Sequence, residues 1–78
     1  MRYYIVVFKN THDAMAGEKF LKEKEYNFRI MPTPTSITQS CGICIRVENE
    51  DDIKKIKDEN FEYKNIYCRD GASYIEFN

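Results

Sequence analysis

Residues Tyr3 to Phe8, YYIVVF, form an unbroken apolar run of aromatic and β-branched side chains. Successive side chains of a strand point to opposite faces, so a strand apolar at every position is covered on both and is central in its sheet. In a chain of 78 residues this demand is severe, because a domain of that size buries only about 60 to 65% of the surface its unfolded form exposes. The rest of the sequence must supply the covering layers. An apolar fraction of 42% beside 32% charged residues fits a folded domain rather than a disordered segment, and residues 1–78 read as a single one.

The remaining elements follow from periodicity and punctuation. Asn10 or Thr11 offers a side-chain oxygen to the first turn of a helix. Ala14, Gly17, Phe20 and Leu21 then recur at helical spacing, with Glu18, Lys19, Lys22 and Glu23 directed to water, which predicts an amphipathic helix over 11–25. Phe28 to Met31 alternates as a short strand that Pro32 and Pro34 are expected to stop, and residues 32–42 form a polar loop. Ile43 to Glu48 alternates again, with Ile43, Ile45 and Val47 on one face and Cys44, Arg46 and Glu48 on the other. Asn49 opens a second helix that uses Ile53 and Ile56 and ends near Asn60. Asn65 to Arg69 and Ser73 to Phe77 read as two strands joined by a turn at Asp70 and Gly71.

The order β-α-β-β-α-β with one extra strand predicts a ferredoxin-like α+β two-layer sandwich, with an antiparallel sheet, both helices on one face and the first strand in the middle. Tyr4, Val6, Tyr67 and Tyr74 are expected to line the face without helices, and an exposed patch of that kind points to an interface, here a homodimer. Strands one and two run the same way. The loop 32–42 therefore lies at the end of the sheet where the first helix begins, with Cys41 near Lys9, Thr11 and His12 and with Lys64 at the same end.

Charge and length exclude several function classes. Twelve basic and thirteen acidic residues give a net charge of −1, with no basic stripe along the sequence, so nucleic acid is not an expected partner. The apolar run at the N-terminus is too short to span a membrane and lacks a signal-peptide layout. Three cysteines are too few for a secreted disulfide scaffold, which favours reduced thiols and a cytoplasmic protein. There are no paired carboxylates in a plausible cleft, no phosphate-binding glycine loop and no nucleophile with an assured base, so the chain does not read as a stand-alone enzyme.

The chemistry that remains is in MPTPTSITQSCGICIRV, residues 31–47. A C-x-x-C redox motif of the thioredoxin type places its first cysteine at a helix N-terminus, whereas Cys41 and Cys44 lead into a strand. A Cys41–Cys44 pair nevertheless stays open, because a bend at Gly42 can bring the thiols together. Structural zinc needs about four ligands, and the three cysteines and His12 that could supply them are spread over distant elements. Cys41 alone is the other reading: a loop thiol followed by Gly42, which allows positive φ and close approach of a partner or anion. The backbone N–H groups of Ser40, Cys41 and Gly42 would then favour a thiolate. His12 is a candidate base, and Arg46 a candidate partner for a carried anion or for Glu48. Cys68, in phase with Ile66, reads as a small buried hydrophobe. A non-catalytic interaction module, with Cys41 incidental, is the alternative from another class.

The segment YYIVVFKNTHDAMAGEKFLKE followed by MPTPTSITQSCGICIRV resembles the small selenium/sulfur carrier-like proteins. The resemblance rests on Ala14 and Glu18 in the helix, Pro32 and Pro34, Ser36, Cys41 and Gly42 in the loop, and Arg46 in the next strand. It covers roughly residues 3–69; Cys44 matches no motif position, and the tail from Gly71 to Asn78 lies outside it. The resemblance implies the same α+β fold and carriage of sulfur or selenium on Cys41. Its implied partners are a cysteine desulfurase-type donor and selenium- or sulfur-using acceptor proteins.

Overall fold

The computed structural model describes residues 2–37 and 42–77. Seven elements follow in order: β1 (Tyr3–Val7), α1 (Thr11–Glu23), β2 (Arg29–Pro32), β3 (Ile43–Val47), α2 (Glu50–Asp58), β4 (Asn65–Asp70) and β5 (Ser73–Glu76). The strands stand side by side as β2-β3-β1-β4-β5, every neighbouring pair antiparallel. This is the ferredoxin-like arrangement with β5 added beside β4. Among the described residues no helix is long and apolar enough to cross a membrane.

β1 holds the centre, as its composition requires. Tyr4, Val6 and Phe8 face the helices and pack with Ala14 and Leu21 of α1 and Ile53 and Ile56 of α2. Tyr3, Ile5 and Val7 face the other way. This corrects the expectation that Tyr4 and Val6 line the helix-free face. A run that is apolar at every position carries no phase of its own; the pairing of Val6 with Ile45 and Ile66 sets it. Tyr67 and Tyr74 do lie on the helix-free face, with Tyr3. There Ile5, Val7 and Cys44 are buried within the single chain beneath Ile37, so the second apolar side of β1 needs no second copy to cover it.

Local chemistry accounts for the helix ends. Asn10 Oδ1 accepts from the Asp13 N–H at 2.8 Å, and Asn49 Oδ1 accepts from the N–H groups of Asp51 and Asp52, each satisfying first-turn donors. α1 ends two residues earlier than its polar pattern suggests. Glu25 takes φ 64°, the Glu25 N–H reaches Lys22 O and the Tyr26 N–H reaches Leu21 O, a Schellman stop with glutamate where glycine is the usual occupant. Glu25→Gly is therefore expected to stabilise the domain by up to about 1 kcal/mol, visible as a higher urea midpoint at unchanged slope. An unchanged or lower midpoint would show that the left-handed turn costs nothing.

β2 also runs one residue further than its prolines suggested, since Pro32 still pairs with Ile43. β2 is an edge strand, and an edge tolerates a proline whose missing donor would have faced water.

Candidate functional site

The C-terminal end of β1 gathers the segments that the topology assigns to it. Val7 stands opposite Cys44 on one side and Asn65 on the other, and Pro32 stands opposite Ile43. The loop of residues 33–42 therefore leaves and re-enters the sheet beside the start of α1. The Lys64 N–H donates to Val7 O at 2.7 Å, which brings the segment before β4 to the same end.

Two backbone bonds shape the described part of the loop. The Thr33 N–H donates to Gly42 O at 3.0 Å, closing its neck, and the Ile37 N–H donates to Pro34 O at 3.1 Å, making a turn. Ile37, 6% exposed, then folds onto Ile5, Val7 and Cys44. The sequence reading passed over Ile37, although it is the one large aliphatic residue between Met31 and Ile43. In a polar segment such a residue is the natural anchor, because burying it removes apolar area worth roughly 2 kcal/mol from water.

Ser40 and Cys41 lie outside the described residues. Gly42 is described: it is exposed, and a methyl group added to it meets nothing within 4 Å among the described residues. What this glycine offers a partner is room. Gly42→Ala should change stability by less than about 0.5 kcal/mol while slowing any reaction in which a bulky partner approaches the loop. Equal reaction rates for variant and wild type would remove the role of close approach.

The other two thiols are buried. Cys44 is fully enclosed, its Sγ–H directed at Pro32 O at 3.8 Å, and Cys68 is 6% exposed with its Sγ–H directed at Arg69 O at 3.8 Å. Cys68 thus behaves as the buried hydrophobe its phase implied. The strand pattern puts Cys44 on the face of the charged Arg46 and Glu48, yet Ile37 covers it. A charged alkylating reagent should leave both unlabelled in native protein and label both in denaturant, and native labelling of either would mean that the fold opens around it.

His12 is exposed on the first turn of α1 and has no partner among the described residues. Arg46 is drawn elsewhere: its guanidinium lies 3.8 Å from the centre of the Tyr3 ring and its Nε 3.4 Å from Glu48. Tyr3 begins β1, so Arg46 leans away from the loop. Between the loop and the β4–β5 hairpin runs a groove of 400 Å³ lined by Ser36, Ile37, Tyr67, Ala72, Ser73 and Tyr74.

Against known proteins, the family model described as "Putative Se/S carrier protein-like" matches residues 3–68. An uncharacterized protein of Methanocaldococcus jannaschii is 36% identical over 44 residues, which cover 56% of this chain and 22% of the archaeal one. The match thus spans about a fifth of that relative's length. No solved structure matches the chain.

Proposed function

The chain belongs to the Se/S carrier protein-like family, and from that premise we propose that it carries sulfur, or selenium in its place, on Cys41 between a donor and an acceptor protein. The observation that supports this reading is the burial of the other two thiols, Cys44 and Cys68. A thiol must meet a partner's sulfur to react with it, and Cys41, within the matched residues 3–68, is the one that remains.

The proposed step needs no oxidant. The Cys41 thiolate attacks the outer sulfur of a persulfide on the donor, a cysteine desulfurase-type protein. A new S–S bond forms at Cys41 as the donor's own S–S bond breaks, and the donor cysteine leaves as a thiolate that takes up a proton. The acceptor's nucleophile later takes the outer sulfur from Cys41 in the same manner. Thiolate is the reactive form, and the loop stems lie at the end of the sheet where α1 presents its N-terminus, whose dipole favours an anion.

Intact mass after incubation with a desulfurase and cysteine tests the reading. A gain of one sulfur atom is expected. Loss of two hydrogens instead would indicate that Cys44 attacks the inner sulfur of the loaded Cys41, forming a Cys41–Cys44 disulfide as the outer sulfur leaves as sulfide, the behaviour of a thiol-disulfide redox protein. No change with a working donor would leave a non-catalytic interaction module.

A further inference from the structure

Every cation within the five strands is an arginine, while the lysines all fall in helices and connecting segments. Arg29, Arg46 and Arg69 share the helix-free face, since Arg29 pairs with Arg46, Arg46 with Ile5, and Arg69 with Tyr3. Their spacing along the chain hides this; strand register assembles it. Glu48 and Glu76 are the carboxylates at that face, and Arg46 lies beside Glu48. A chain of net charge −1 therefore carries a face with more positive than negative groups, its remaining carboxylates lying mostly on the helices and their flanks.

Arg29 directly opposite Arg46 is costly, because like charges across an antiparallel pair repel. Lysine would serve a merely solvated edge, whereas the planar guanidinium stacks and grips phosphate in bidentate fashion. Here the stacking is in place. Arg46 lies over Tyr3 at 3.8 Å and Arg69 over Tyr74 at 4.7 Å, with Arg69 steadied by its Nε–H bond to Gly71 O. The two tyrosine rings sit 6.3 Å apart, joined through their hydroxyls at 2.7 Å. A concavity of 190 Å³ between Asn27, Arg29, Arg46 and Glu48 adjoins one pair, and the 400 Å³ groove adjoins the other.

We propose that this sheet face binds single-stranded nucleic acid, with phosphates held by Arg29, Arg46 and Arg69 and bases stacked on the Tyr3–Arg46 and Tyr74–Arg69 pairs. Bases stack on aromatic rings and on guanidinium planes alike, and a basic surface with neighbouring platforms is the general design for unpaired strands. An acidic peptide would use the arginines but leave the platforms idle. A duplex groove needs an inserted helix or ribbon, which a flat sheet does not offer. The proposal does not rest on the sulfur-carrying reading: its arginines and stacking tyrosines lie toward the Tyr3 end of β1, and only the groove beside Tyr74 reaches the loop, at Ser36 and Ile37.

Fluorescence anisotropy of a short labelled single-stranded RNA tests it, with wild-type protein titrated at several salt concentrations. Three phosphate contacts predict a log–log salt slope of about −2, and Arg46→Gln or Tyr74→Leu should weaken binding by about fivefold or more. Lys55→Gln on α2 should match wild type. Should either of those two variants lose the fold, Arg29→Gln decides: it removes the facing like charges, so it should fold at least as well as wild type and still bind more weakly. The proposal is overturned by no binding at low salt, by unchanged affinity in Arg29→Gln, or by equal binding of a duplex or a polyglutamate peptide.

Discussion

Phe8→Ala is expected to destabilise the domain by about 3 to 5 kcal/mol, leaving at most about 2 kcal/mol to a small domain whose whole stability is on the order of 5 kcal/mol. Phe8 is fully buried and joins the end of β1 to the ring cluster of Phe61, Phe20 and Tyr63. Its ring also reaches α1 at Gly17, where an added Cβ would stand 2.6 Å from Cε1 and 2.7 Å from Cζ of Phe8. Glycine inside a helix costs about 0.8 to 1.0 kcal/mol relative to alanine, and this contact explains its presence. Gly17→Ala should therefore destabilise wild type, because the ring is fully buried and overpacking a buried site typically costs about 1 to 3 kcal/mol. In Phe8→Leu the same substitution should turn neutral or stabilising. Urea titrations of the four proteins measure this coupling, and additive effects would show that the two residues do not hold each other.

The second large effect is chemical. Cys41→Ser should abolish sulfur uptake from a desulfurase while leaving stability within about 0.5 kcal/mol, whereas Cys44→Ser should retain uptake and lose stability. The asymmetry follows from burial. Serine at Cys44 puts a hydroxyl into an apolar site against Ile5, Val7 and Ile37, at a cost of about 1 to 3 kcal/mol if its hydrogen bonding is poor. Uptake lost equally in both variants would point to the dithiol reading. Intact mass and denaturant titration on the same samples separate loss of chemistry from loss of fold.

What the sequence revealed and what it concealed follow from the physics of each element. Centrality of β1 was legible because six consecutive apolar residues fit few other positions in a small sheet. Its phase was not, since alternation is silent when both faces are apolar, and Tyr4 and Val6 changed sides accordingly. The helix starts at Asn10 and Asn49 were legible from side-chain chemistry, while the stop at Glu25 lacks the glycine that marks such turns. Pro32 within β2 becomes intelligible once β2 is known to be an edge. At the loop, position followed from strand direction alone. The anchoring of Ile37 and the enclosure of Cys44 depend on tertiary packing, and the gathering of Arg29, Arg46 and Arg69 on one face depends on register, which separation along the chain conceals.

The central claim is that Cys41 holds the transferred atom, and its most direct test is to locate that atom. Protein loaded by a desulfurase is trapped with an alkylating reagent, digested, and sequenced by fragment-ion mass spectrometry, with cleavage at Gly42 and Ile43 separating Cys41 from Cys44. The account predicts one additional sulfur on Cys41, with Cys44 and Cys68 carrying none. Sulfur on Cys44 or Cys68, or a Cys41–Cys44 disulfide as the sole product, would contradict it.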